Sequence, residues 1–350
     1  MGAMGQSALL HAWTGKGPLA RLLWPISQLY GALVALRRQL FLKGILRSQR
    51  AQAFVIVVGN VVAGGAGKTP TVIAVVQHLR SHGYQVGVVS KGYGRQATDC
   101  REVSPGANPH DVGDEPIVVQ HAAQVPVFVG PDRHRTAQAL LAQYPGTKVL
   151  VCDDGLQDYS LWRDLEICVF DDRACGNGWL LPAGPLREPW PRHPLACAGQ
   201  SDQTLLVVNT SGAPQPGQFG ARRTLASHAR NQQGQFIALE QLQEPGRLPL
   251  KAVAGIARPQ LFFDMLRQTG LQLSATLALA DHDSYGQQTA RSLGNFELIC
   301  TEKDAPKLWL IAPNAWSVAL LQTLDPACLE TIERQIKNHR GARLSSQHGH

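Results

Sequence analysis

A chain of 350 residues with 44% hydrophobic and 17% charged residues has room for two cores and too much apolar content for a disordered protein. Its net charge of +7 is unevenly placed: residues 1–98 hold eleven Lys and Arg and no acid, while the other 22 basic and 26 acidic residues leave the remainder at −4. The basic N-terminal third suits an anionic membrane surface or phosphate-bearing substrates; nucleic acid would fit by charge alone, but no aromatic-interleaved basic patch or nucleic-acid module accompanies it. The seven cysteines (Cys100, Cys152, Cys168, Cys175, Cys197, Cys300, Cys328) form no C-x-x-C pair and read as reduced core thiols of a cytosolic compartment, neither disulfides nor a cysteine zinc site.

In residues 18–47, Leu22, Ile26, Leu29, Leu33, Leu36 and Leu40 alternate spacings of four and three, one apolar stripe on a helix. Arg21, Arg37, Arg38, Lys43 and Arg47 flank it, and Trp24 and Tyr30 are candidate interfacial anchors. Fifteen residues separate Arg21 from Arg37, short of the ~20 that span a bilayer, so the expectation is a helix lying in the membrane interface. A basic helix packed on its own domain is the alternative. Signal-peptide character is poor, because Arg37 and Arg38 follow the apolar run without an A-x-A site. Gln6 stands where N-myristoylation expects Ser or Thr.

The chain is organised around Phe54 to Pro70, FVIVVGNVVAGGAGKTP. The β-branched run reads as a buried strand, and it leads through a glycine loop into Gly67-Lys68-Thr69 at a helix start. This is the phosphate-binding P-loop layout, in which backbone N–H groups of Gly64, Gly65, Ala66 and Gly67 converge on phosphate oxygens. Lys68 would reach the β/γ-phosphates of ATP and the Thr69 hydroxyl would hold Mg2+. Val62 occupies the position where the common pattern has its first glycine.

Beyond the loop, a helix through Val72, Val75, Val76 and Leu79 ends near Gly83, and strands are expected at Gln85–Ser90, Val125–Val129, Lys148–Cys152, Leu165–Phe170 and Thr204–Val208. Helices around 115–121 and 133–143 alternate with them, which implies an α/β fold with a parallel sheet covered on both faces. Residues 211–235, rich in Gly, Gln, Pro and Ser, look like a boundary. Leu248–Ile256, a helix at Pro259–Gln268, Phe296–Cys300 and Ser317–Leu321 suggest a smaller second α/β unit. The expected division is a membrane-associated helical segment at 1–50, a P-loop domain at 51–210, a second domain at 211–337 and a mobile tail at 338–350.

Five constellations carry chemistry. Asp153 and Asp154 end the strand KVLVCDDG, where a P-loop protein places an acid for Mg2+; a solvated Asp-Gly turn is the bland alternative. Asp114 and Glu115, in VGDEP, offer a base and a metal ligand, or merely a helix start. Gly184-Pro185-Leu186-Arg187-Glu188 presents an arginine suited to a transferring phosphoryl group, unless it is a surface ion pair. Asp281-His282 and Thr301-Glu302-Lys303-Asp304 are weaker alone: a His near a carboxylate can tune an acid–base group, and the second run could line a cleft.

Taken together, VGNVVAGGAGKTP, SKGYGR, VGDEP, DDGLQD, LPAGPLREP, GIARP, the Asp-His pair and TEKD resemble the tetraacyldisaccharide 4'-kinases in order and spacing, from about Leu22 to Leu308. The resemblance accounts for the missing first glycine, which that family ordinarily lacks. It implies ATP-dependent phosphorylation of the 4'-hydroxyl of an acylated glucosamine disaccharide 1-phosphate in lipid A biosynthesis, at the cytoplasmic face of the bacterial inner membrane. It also implies two α/β/α domains joined by a hinge, and no obligate protein partner is inferred. By motif, Lys68 and Thr69 bind ATP and Mg2+, Asp153 and Asp154 serve the metal region, Arg187 and Glu188 lie near the phosphates, and Arg133 lies near the transferred phosphate. Asp114 is similar to the family's base, paired with His282. Lys91 stands where the family has Arg, Asp158 where it has His, and Pro306 where it has Val. The rival class is a membrane-associated ATPase switch of the partitioning type, but those proteins carry a Lys before the paired glycines, where this chain has Ala63. A kinase for a soluble sugar or nucleoside would leave the N-terminal stripe unexplained.

Overall fold

The computed structural model describes residues 10–192, 204–211, 214–281, 283 and 285–347. Helix α1 (Pro18–Leu42) opens with Pro18 in its first turn, a position that needs no N–H donor. Strands β1 (Phe54–Gly59), β2 (Val86–Ser90), β3 (Arg101–Glu102), β4 (Val127–Val129), β5 (Val149–Asp153), β6 (Leu165–Phe170) and β7 (Thr204–Asn209) then alternate with helices α2 (Lys68–Ser81), α3 (Pro109–Val112), α4 (Asp114–Ala123) and α5 (Arg133–Gln143). Except for β3, these strands pair in parallel, in the order β7-β6-β1-β5-β2-β4-β3. β1 is buried along its whole length, as its unbroken apolar run requires of a strand covered on both faces. Phe54, Ile56 and Val58 pack with Val72, Val75 and Val76 of α2, while Val55 and Val57 pack with Ala137 and Leu140 of α5.

The segment expected as a boundary holds β8 (Phe219–Arg230), twelve residues long. It pairs in parallel with β7 at Val208↔Phe219 and then antiparallel with β13 (Trp316–Leu324), so two long strands carry the first sheet into the second. Around them lie β9 (Phe236–Ala238), β10 (Leu250–Ala254), β11 (Ala275–Ala278) and β12 (Glu297–Thr301), with helices α6 (Pro259–Gln268), α7 (Gln287–Leu293) and α8 (Ala305–Leu308). Among the described residues the result is one continuous sheet of 13 strands.

Helix α9 (Pro326–Gln347) continues past residue 338, where a tail was expected. Cys328, Ile332 and Ile336 join the core formed by β1 and α2, so the chain returns to the first unit, and beyond them the His339 ring lies edge-on to Phe54. Of the cysteines, Cys152, Cys168, Cys300 and Cys328 are buried thiols as expected, Cys175 is half-buried and Cys100 is exposed; Cys197 lies outside the described residues.

α1 docks by one face only. Ala20 and Ser27 are buried, Ser27 Oγ donates to the Leu180 carbonyl at 2.8 Å, Tyr30 Oη donates to the Arg187 carbonyl at 2.7 Å, and Trp24 lies against Trp179. The apolar stripe points the other way: Leu22 is 74% exposed and Leu29 65%, with Ile26, Leu33 and Leu36 also exposed. At 25 residues the helix is long and apolar enough to cross a membrane by length and composition, longer than the spacing of its flanking arginines suggested.

Candidate active site

The first glycine motifs serve close approach between loops. Gly92 and Gly113 both have positive φ, and a Cβ on Gly92 would meet the Val112 carbonyl oxygen at 2.4 Å, while one on Gly113 would meet Gly92 and Tyr93 backbone at about the same contact limit, 3.0 Å. This packing sets Asp114 and Glu115 at the first turn of α4, beside the end of β2. Gly67, at φ +89, leaves room for the Arg223 guanidinium, which a Cβ there would overlap. Arg223, from β8, donates to the Ala66 carbonyl at 2.8 Å, and Arg173 donates to the Gly65 carbonyl at 3.0 Å.

The strand-end acids converge on the same loop. Lys68 Nζ lies 3.7 Å from Asp154 Oδ1 and 3.5 Å from Asn60 Oδ1, and Arg187 Nη1 donates to both Asp154 oxygens at 3.0 and 3.2 Å. Burial opposes ionisation of Asp154, but Lys68 and Arg187 hold its carboxyl below the usual carboxylate range. Asp153, 2% exposed, is pushed the other way by burial and then by Glu115 and Asp154, and its Oδ1 has no hydrogen-bond partner. A buried carboxylate oxygen without a donor, next to two further acids and the Thr69 segment, matches the hard oxygen set that Mg2+ takes.

Gly64, Gly65, Gly67, Lys68, Thr69, Glu115, Asp154 and Arg187 line a cleft of about 1430 Å3 between the first sheet and the second unit. Ala66 is buried behind the loop, with its carbonyl turned to Arg223 and to the Thr210 hydroxyl. The opposite wall brings Arg258 of GIARP, Asp281 and Lys303 of TEKD. Lys303 Nζ lies 3.4 Å from Glu115 and 3.0 Å from Asp281, and Lys307 Nζ lies 2.7 Å from Asp114. The Asp-His segment is thereby drawn to the GDEP turn, although His282 itself lies outside the described residues.

Four expected site residues are buried and do not line the cleft: Asp114, held by Lys307, and Asp153, with Glu188 and Arg133. Glu188 corrects the reading that placed it near the phosphates: its side chain is buried, accepting from Arg192 at 3.0 Å, Gln157 at 2.7 Å and Tyr159 at 3.1 Å. The GPLRE run pairs along the loop entry, Arg187 N to the Val61 carbonyl and Ala63 N to the Pro185 carbonyl, so Arg187 faces the cleft while Glu188 faces inward. Arg133, 3% exposed, likewise does not line the cleft; it donates to Asp158 at 2.8 Å and to the carbonyls of Asp153 and Asp154 at 2.8 and 2.6 Å. It braces the turn in which Asp154 has a φ of 47°, left-handed backbone that Asp tolerates better than most side chains.

Lys91 and Asp158, two departures from the family pattern, meet at 3.2 Å. Burial works against the Asp158 carboxylate, but the Ser160 hydroxyl, Arg133 and Lys91 hold its carboxyl well below the usual range. The polar groups that sequence reading missed are Arg173, Arg223 and Lys307. Each stands in a segment without a phosphate-binding pattern and reaches the site only through the fold.

A family profile described as tetraacyldisaccharide-1-P 4'-kinase matches residues 19–337. The chain is 50% identical over 328 residues to a tetraacyldisaccharide 4'-kinase of Acidovorax sp. (strain JS42), covering 94% of each chain. It is 48% identical over 349 residues to the same-named protein of Polaromonas naphthalenivorans (strain CJ2), covering 99% of each. The fold matches a crystal structure of LpxK from Aquifex aeolicus in complex with ATP with a TM-score of 0.75 and 25% identity, over 91% of this chain and 99% of that one. None of these favours the partitioning-type alternative. The chain belongs to the tetraacyldisaccharide-1-P 4'-kinase family and is an ATP-dependent kinase of lipid A biosynthesis.

Proposed function

We propose that the 1430 Å3 cleft is where the γ-phosphoryl group of ATP passes to the 4'-hydroxyl of a tetraacylated glucosamine disaccharide 1-phosphate. The observation that carries this reading is the meeting of Lys68, Asp154 and Arg187 at the mouth of the glycine loop, with Glu115 on the same wall. Asp114 takes the hydroxyl proton as the sugar oxygen bonds to the γ-phosphorus and the bond to the ADP oxygen breaks; its carboxylate is oriented by Lys307. Lys68 and Arg187 offset the charge spread over the moving phosphoryl oxygens. Thr69, Glu115, Asp153 and Asp154 would hold Mg2+, which when bound neutralises the β- and γ-phosphate oxygens. Closure of the second unit through β8 and β13 would exclude water and bring the Asp-His segment to the acceptor. An Asp114→Asn protein is expected to fold normally and to lose about 10²–10⁴-fold in kcat, the usual contribution of a positioned base. Near-wild-type turnover in a steady-state assay would remove Asp114 from this role.

α1 is the seat on an anionic membrane, at the cytoplasmic face of the inner membrane. Its docked face is fixed to the protein while Leu22, Ile26, Leu29, Leu33 and Leu36 are left for the acyl region, which favours lying in the interface over crossing it. Burying one leucine side chain contributes about 1.5–3 kcal/mol, so Leu29→Asp with Leu33→Asp should weaken binding to anionic vesicles by at least about tenfold. Vesicle flotation measures this, and an unchanged thermal midpoint shows that the stripe does not serve the core.

A further inference from the structure

α2 ends at a cluster that the transfer reaction does not use. His78 and His82 stand one turn apart, and Glu333 of α9 faces both: its Oε1 lies 2.8 Å from His78 Nε2 and 3.8 Å from His82 Nε2. The three donor atoms fall within 4.8 Å of one another. Donors on a tetrahedral Zn2+ with bonds of about 2.0–2.1 Å are about 3.3 Å apart, a value these spacings bracket.

The ring chemistry agrees. His82 Nδ1 lies 2.9 Å from the His78 carbonyl oxygen, so it donates there and leaves the Nε2 lone pair toward Glu333. A second ring nitrogen tied to a backbone carbonyl is the device that orients metal-bound imidazoles. The two ring centroids sit 4.2 Å apart. Glu333 Oε2 accepts from Lys337 at 3.1 Å, which leaves Oε1 to the two imidazoles. The His82 side chain is 51% exposed, which leaves one side of the cluster open to water as a fourth ligand.

We propose that His78, His82 and Glu333 bind a borderline divalent transition metal, Zn2+ above all, that staples α2 to α9. The residues lie at the far end of α2 from Lys68, about 15 Å away at 1.5 Å per residue, so the ion is structural and separate from the phosphate cleft. It would join the helix that begins at the glycine loop to the helix that closes the chain.

Tag-free full-length protein titrated with Zn2+ by calorimetry, and with Co2+ as a spectroscopic probe, tests this against His82→Ala and Glu333→Gln. Expected are one Zn2+ per chain, the intense visible absorption of tetrahedral Co2+, and a higher thermal midpoint with Zn2+. Each variant should bind at least about tenfold more weakly while retaining phosphoryl transfer. Absence of Zn2+ binding overturns the proposal. Wild-type affinity in both variants, as capture by His348 and His350 alone would give, overturns it too.

Discussion

Lys68→Met is expected to fold as the wild type does and to lose at least about 10³-fold in kcat, a transition-state loss of about 4 kcal/mol. The size follows from where the ammonium stands. It stands at the first residue of α2, directly after the glycine loop, 3.7 Å from Asp154 and 3.5 Å from Asn60 Oδ1, and methionine keeps the stem while removing the charge. The variant leaves Asp154 with Arg187, so the carboxylate stays paired and the fold has no new buried charge. Steady-state phosphoryl transfer and near-ultraviolet circular dichroism separate the two effects. A variant retaining a tenth of wild-type kcat would show that the loop does not grip the transferred group.

The second large effect concerns stability. Glu166 is fully buried in β6 and bridges Arg163 at 3.3 Å and Arg192 at 3.1 Å, and Arg192 also holds Glu188. Glu166→Ala therefore leaves two nearly inaccessible guanidinium groups short of a counter-charge. Breaking a buried pair in this way costs about 3–5 kcal/mol, and denaturant unfolding should show a loss of that order. Because Arg187 is carried by the same GPLRE run that Glu188 anchors, kcat should fall with stability rather than independently of it. A loss under about 1 kcal/mol would mean that water solvates the cluster.

Much of this was legible in the residues. The first sheet was readable because β1, β2, β5 and β6 are unbroken apolar runs, and the loop because glycine spacing and Lys68-Thr69 have one common use. The α1 stripe was readable too, but periodicity cannot say which way an apolar face turns; the contacts of Ser27 and Tyr30 turn it away from the protein. β8 was hidden because only Ala221 and Ala229 of its twelve residues are buried, so it lacks a strong apolar alternation. α9 was cut short for a similar reason, since residues after 338 carry little apolar content.

The site divides the same way. Lys68, Asp154, Arg187 and Glu115 were found from motifs and the fold gathers them. Glu188 and Arg133 were misplaced because a motif says that a charge is needed, not which side of the chain it faces. The Lys307 and Asp114 side chains are 193 residues apart in sequence and 2.7 Å apart in space, a pairing that only the topology creates. Lys91 and Asp158, which stand where the resemblance expects Arg and His, meet at 3.2 Å, a contact between segments that neither motif foretells.

The most direct measurement follows label from the γ-phosphate of ATP, with tetraacyl disaccharide 1-phosphate present in mixed micelles or left out. If the glycine loop and the acids around it serve transfer to a sugar hydroxyl, label appears at the 4'-position and ATP turnover without the lipid is negligible. Equal ATP turnover with and without the lipid, and no labelled lipid, would contradict it.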